Sequence, residues 1–162
     1  IQVDSAPGRG STFTLLLPLA DGVVAPSTPP PADAAVRGRG HVLVADDVPT
    51  VLRVACDVLE LLGYRVTACP DGAAALELYR GAWQSVDLVL LDVTMPRLDG
   101  PSALAEMHRI NPAVRAILTS GRPPGPDEQR LLADLGASFL QKPFTMAELS
   151  RCVAAALGAE RE

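Results

Sequence analysis

From His41 to the end of the chain, short aliphatic runs alternate with amphipathic, helix-spaced runs, and this alternation restricts the fold more than any single residue. Strand patterns occupy residues 41–45, 65–68, 88–91, 115–119 and 138–140. Pro49 suits the first turn of a helix in which Val51, Val54, Ala55, Val58 and Leu62 recur at helical spacing, and Gly63 stops it. Asp71 can cap a second helix through about Tyr79, and a third runs from about Pro101 to Ile110. The stiff stretch "GRPPGP" precedes a helix over 127–135 whose opening acids suit its dipole. Thr145 and Glu148 form a capping box for a last helix through Leu157, buried through Met146, Leu149 and Val153. Near-continuous apolar strands need cover on both faces. With right-handed crossovers, the pattern predicts an α/β fold: a doubly wound, five-stranded parallel sheet in order 2-1-3-4-5.

In such a sheet ligands bind beyond the carboxyl ends of the strands, near the switch between strands 1 and 3. Asp46 and Asp47 end strand 1, and Asp92 ends strand 3 within "DLVLLDVTMPRLDG". Thr119 and Ser120 end strand 4, and Lys142 ends strand 5 just before Pro143. Each residue alone has an ordinary use: the acids as caps or turn formers, the hydroxyls as loop groups, the lysine as a solvated charge. Together they place an acid pair, an acid, a hydroxyl and a lysine at one edge. Three neighbouring carboxylates repel one another unless a cation sits among them. Oxygen ligands with no His or Cys nearby favour a hard ion, so Mg²⁺ is expected. A metal, a lysine and a hydroxyl around one carboxylate suit phosphoryl transfer, with Asp92 as nucleophile.

"VLVADD", "DLVLLDVTMPRLDG", "AILTSG" and "LGASFLQKPF" each resemble a motif of the receiver domain of bacterial two-component signalling, and residues 40–158 are similar to such a domain throughout. The resemblance implies a flavodoxin-like receiver fold, with Asp92 as phospho-acceptor. It implies Asp46, Asp47, Asp92 and the Thr94 carbonyl as Mg²⁺ ligands, and Lys142 as the cation that contacts the phosphoryl group. Thr119 would be the switch hydroxyl, Phe139 the aromatic that turns inward on activation, and Lys142–Pro143 a cis peptide. The implied donor is a phosphohistidine on a histidine kinase or a phosphotransfer domain. A downstream protein is expected at the face formed by the fourth helix, fifth strand and last helix of the domain. Two features are less typical: the proline-crowded loop over 122–126, and Phe rather than Tyr at 139. "LDVT" also resembles the nucleophile strand of haloacid-dehalogenase phosphohydrolases. That family wants an acid where this chain has Thr94, and its other metal acids lie downstream, whereas Asp46 and Asp47 lie upstream. A degenerate, docking-only receiver would lack some of these polar groups, and none is missing.

The first zone is different. "SAPGRGSTFTLLLPL" resembles the closing segment of a histidine-kinase ATP-binding domain, with a strand expected over 13–17 and the remnant over 1–20. Residues 21–39, rich in Pro, Ala and Gly, read as a semi-extended linker, and 159–162 as a tail. The sheet is expected to fold without the residues before Arg39. The resemblance and the opening on Ile1 imply a cytoplasmic piece of a hybrid sensor kinase, with membrane attachment left open for the parent, the piece itself being no enzyme beyond its own phosphorylation and slow dephosphorylation. His41 begins a strand and His108 ends a helix, so neither reads as a phospho-donor. A net charge of -5 argues against nucleic acid or an anionic membrane as partner. Cys56, Cys69 and Cys152 show no ligand-like spacing and suit a reducing cytoplasm, and no apolar run reaches the ~20 residues of a membrane span.

Overall fold

The computed structural model describes residues 1–16 and 35–158; Leu17, the part over 21–34 of the linker expected over 21–39, and the tail over 159–162 lie outside them. The chain divides into two compact units, Ile1–Pro31 and Ala32–Glu162. In the first, β1 (Gln2–Ala6) and β2 (Gly10–Thr14) form an antiparallel hairpin in which Val3 faces Phe13. The strand expected over 13–17 therefore lies earlier, and its partner β1 is an addition. Pairing fixes it there: the register runs from Gln2 opposite Thr14 to Ala6 opposite Gly10, so the aliphatic Leu15 and Leu16 fall outside the ladder.

The second unit is the parallel sheet. Its strands are β3 (His41–Ala45), β4 (Arg65–Cys69), β5 (Leu88–Asp92), β6 (Ala116–Ser120) and β7 (Ser138–Gln141), in spatial order β4-β3-β5-β6-β7. Counted within this sheet, that is the expected order 2-1-3-4-5. Helices α1 (Pro49–Leu61), α2 (Gly72–Ala82), α3 (Gly100–Ile110), α4 (Pro126–Leu135) and α5 (Met146–Leu157) connect and close it. Successive strand residues face opposite sides. Leu43, Val89, Leu91 and Leu118 meet Ala75, Tyr79, Leu104 and Met107 from α2 and α3. Val42, Val44, Leu88, Leu90 and Ile117 meet Ala55, Leu59, Leu149 and Val153 from α1 and α5.

Start signals act as the sequence implies. Asp71 accepts the Ala74 N–H at 2.9 Å, and the Thr145–Glu148 capping box opens α5. Helix α2 continues through Gly81 to Ala82, beyond the expected stop near Tyr79, and a 3-10 turn (Trp83–Ser85) follows. Four strands run one residue past their expected ends because Cys69, Asp92, Ser120 and Gln141 still pair with Ala45, Thr119, Gln141 and Ser120 respectively.

Residues 35–39, read from composition as the end of a linker, touch the domain. Val36 N–H donates to Ser150 Oγ at 3.1 Å and Gly38 N–H to Leu62 O at 2.9 Å, while Ala35 packs on the α1–α5 side of the core. Gly38 must be glycine there, since a Cβ would sit 2.1 Å from the Tyr64 hydroxyl. Among the described residues no helix is long and apolar enough to cross a membrane.

Candidate functional site

The switch between β3 and β5 brings two acids to one place. Asp46 follows β3 directly and Asp92 is the last residue of β5, so both leave the hydrophobic sheet at its carboxyl edge. They are only 5 % and 8 % exposed. Buried carboxylates demand partners, and these have them. Val48 N–H donates to Asp46 Oδ1 at 2.9 Å, and Thr94 N–H to Asp92 Oδ2 at 2.9 Å. The remaining oxygen of each accepts from the same ammonium: Lys142 Nζ stands 2.5 Å from Asp46 Oδ2 and 2.5 Å from Asp92 Oδ1.

Lys142 reaches them because Lys142 N–H donates to Ser120 O at 2.8 Å, which ties the residue after β7 to the end of β6; the peptide to Pro143 is cis. Burial by itself would lower its pKa, but the hydrogen bonds it donates to both carboxylates, with their charges, outweigh that and hold the pKa above the ordinary lysine value of 10.5. The ammonium thus stays charged across the neutral range.

Thr119 lies beside Asp92 in the ladder and is buried, and its hydroxyl makes only a long 3.5 Å contact to Leu91 O. At that length the bond is weak, leaving the hydroxyl free to find a better acceptor. Phe139, one position earlier on β7 than the partner of Thr119, is half-buried against the α2–α3 side of the core. Asp47 and Thr94 are exposed at the rim. The structure therefore joins Asp46, Asp92 and Lys142 in one hydrogen-bonded group, sets Thr119 next to it, and leaves Asp47 outside the group. Among the described residues no set of three or more His, Cys, Asp or Glu stands ready to hold a metal ion. Yet the Asp46–Asp92 cleft already accommodates one positive charge, and its donors are all oxygen, which fits a hard cation such as Mg²⁺.

One contributor had no sequence signal. Arg97, in the loop leaving Asp92, has a φ of 68° and its guanidinium donates to Asp71 at the start of α2. An apolar groove of about 510 Å³ borders the site, lined by Val51, Val54 and Ala55 of α1 and by Lys142, Pro143 and Phe144.

Residues 42–154 match the family model described as the response regulator receiver domain. The chain is 32 % identical over 161 residues to the sensor kinase CckA of Brucella abortus (strain 2308), covering 94 % of this chain and 17 % of that protein. It is 35 % identical over 109 residues to the chemotaxis protein CheY of Bacillus subtilis (strain 168), covering 64 % of this chain and 86 % of CheY. The solved receiver domain of the hybrid histidine kinase CckA superposes with a TM-score of 0.63 at 29 % identity, over 73 % of this chain and 99 % of that one. None of these comparisons supports a phosphohydrolase.

Proposed function

The chain belongs to the response regulator receiver family, whose members are phospho-acceptors of two-component signalling and not catalytic enzymes, and on that premise we propose that its acceptor is Asp92. One observation carries the assignment: the Lys142 ammonium shared at 2.5 Å by Asp92 and Asp46. The donor is a phosphohistidine on a histidine kinase or a phosphotransfer domain, working in the cytoplasm.

An Asp92 carboxylate oxygen attacks phosphorus in line with the P–N bond. The P–O bond forms, the P–N bond breaks, and its electron pair returns to the imidazole nitrogen. Lys142 neutralises the carboxylate before transfer and the phosphoryl oxygens after it. Asp46, Asp47, Asp92 and the Thr94 carbonyl would hold Mg²⁺, which when bound supplies further compensation for phosphoryl charge. Phosphorylation adds about -1.5 to -2 charge and three acceptor oxygens. The weakly held Thr119 hydroxyl turns to donate to one of them, and the Phe139 ring follows into the space it leaves. A downstream protein would read the result at α4, β7 and α5.

A donor must bring phosphorus to bonding distance of Asp92, so its surface has to lie over the rim beside Lys142. The adjoining groove offers it apolar surface, with Val54 largely exposed there. The parent we propose is a hybrid sensor kinase. The match to the sensor kinase spans 94 % of this chain and so extends well beyond the receiver match at 42–154. The hairpin, whose paired Val3 and Phe13 are both exposed, suits the edge of a larger sheet domain such as a kinase ATP-binding domain.

Intact-mass spectrometry after incubation with acetyl phosphate and Mg²⁺ tests the acceptor. One phosphoryl group is expected on the wild type and none on Asp92→Asn. Labelling that survives in Asp92→Asn overturns the assignment.

A further inference from the structure

We propose that Arg97 and Asp71 are positioning residues for phosphoryl acceptance: their ion pair fixes the loop that presents Asp92 and the Thr94 carbonyl. The proposal rests on Asp92 being the acceptor. It starts from an outlier. Among the described residues Arg97 is the one non-glycine with positive φ, at 68°. Leu98 N–H donates to Pro96 O across it at 2.8 Å, closing a three-residue turn. Turns of this kind with a positive central φ are rare and strained, and such strain persists only where the surroundings over-determine it.

The surroundings do so here. The Arg97 guanidinium donates to Asp71 Oδ2. Asp71 is 4 % exposed, and its other oxygen accepts the Ala74 N–H at 2.9 Å, so it is anchored in α2. The Arg97 hydrogen bond, more than the Ala74 one, holds the Asp71 carboxyl below its ordinary range and keeps it ionised at neutral pH. Beside the pair, Gly72 lies so close to the loop that a Cβ would sit 2.2 Å from Leu98 O. At the other end of the loop Thr94 N–H holds Asp92 Oδ2, and Met95 is buried in the core. Between Met95 and Leu98, which packs on the core, only Pro96 and Arg97 remain, and their turn braces the Thr94–Met95 peptide from its C-terminal side. The Arg97 side chain is 62 % exposed, so the pair adds little to global stability. Its consequence is geometric.

The test compares Arg97→Ala, Arg97→Gly, Arg97→Lys and Asp71→Asn in the full chain. Asparagine still caps α2, and glycine adopts the turn without strain, so both substitutions remove the ion pair and spare the fold. Initial rates of Asp92 labelling by acetyl phosphate are measured across a Mg²⁺ series. Amide spectra of the metal-free protein give a second readout. Arg97→Ala, Arg97→Gly and Asp71→Asn are expected to raise the half-saturating Mg²⁺ concentration roughly tenfold, the size usual for groups that orient a ligand, with a smaller change in maximal rate. Arg97→Lys recovers most of the loss. The Thr94 and Met95 amides shift in the three pair-breaking variants and not in Arg109→Ala, which removes an unrelated surface pair. Wild-type Mg²⁺ dependence in Arg97→Gly or Asp71→Asn, or unmoved Thr94 and Met95 amides, overturns the proposal. If the wild type itself takes no label at Asp92, the acceptor reading fails instead, and the metal-free spectra still decide the fate of the pair.

Discussion

Replacing Lys142 by methionine keeps most of the side-chain volume and deletes the ammonium between two buried carboxylates. Both oxygens lie 2.5 Å from Nζ, so they are no more than about 5 Å apart. At that separation and an effective dielectric near 20, two negative charges repel by ~3 kcal/mol, a repulsion that the ammonium offsets in the wild type and nothing offsets in the variant. The Lys142 side chain is 20 % exposed and water reaches the pair, so the loss at neutral pH should fall somewhat below that, at ~2 kcal/mol. For a domain of this size that lowers Tm by on the order of 10 °C. The variant also reacts to its surroundings in the opposite way to the wild type. Protonating one carboxyl relieves the repulsion, so acid restores its stability relative to wild type. Added Mg²⁺ should bind it more tightly, because no ammonium competes for the cleft. In the wild type the raised Lys142 pKa means its stabilisation is complete below 10.5 and fades only as pH climbs through the folded value. Thermal unfolding at neutral and acidic pH, with EDTA and with Mg²⁺, measures each arm. An EDTA-treated Lys142→Met with the wild-type midpoint, or one that binds Mg²⁺ more weakly, would refute the reasoning.

Starting the chain at Arg39 instead of Ala35 removes the Val36–Ser150 and Gly38–Leu62 hydrogen bonds, and at ~1 kcal/mol each the shorter protein should lose ~2 kcal/mol in urea unfolding; equal stabilities would show the segment to be idle. Ser150→Ala in the longer protein should reproduce about half of that loss. The Glu128 carboxyl is held below 4.5 by the Gly125 N–H first and the Arg122 guanidinium second, so its contribution is present above 4.5 and lost as pH falls through the folded value. The stability gap between wild type and Glu128→Gln should therefore close on acidification, and a gap that widens in acid contradicts the capping role. Thr119→Ala should still take a phosphoryl group at Asp92, yet amide shifts at Phe139 and over 122–135 should shrink; full-sized shifts there would remove Thr119 from the switch.

The sheet was legible in the sequence because its strands are apolar on both faces and its helices carry their own start signals. Asp71 and the Thr145–Glu148 box act locally, within three residues, and local chemistry is what a single sequence displays. The strand ends were less legible, since only the pairing of Asp92 with Thr119 and of Ser120 with Gln141 carries the ladder past the aliphatic run. The hairpin strand β1 was invisible for the same reason: "QVDSA" is half polar, and what makes it a strand is Phe13 and its neighbours across the turn. Residues 35–38 have a linker's composition, and their hydrogen bonds go to Leu62 and Ser150, far along the chain. At the site, the residue types and strand-end positions announced Asp46, Asp92, Thr119 and Lys142. That one ammonium would serve both carboxylates depends on how the end of β7 is tied to Ser120, which no spacing encodes. Arg97 carried no signal at all, because a left-handed position is usually marked by Gly or Asn and here an arginine occupies it. Polar groups set by strand topology can thus be read ahead of the structure. Those set by a partner across the fold, such as Arg97 on Asp71, have to be seen there, and they are the ones that fix the geometry in which the announced residues act.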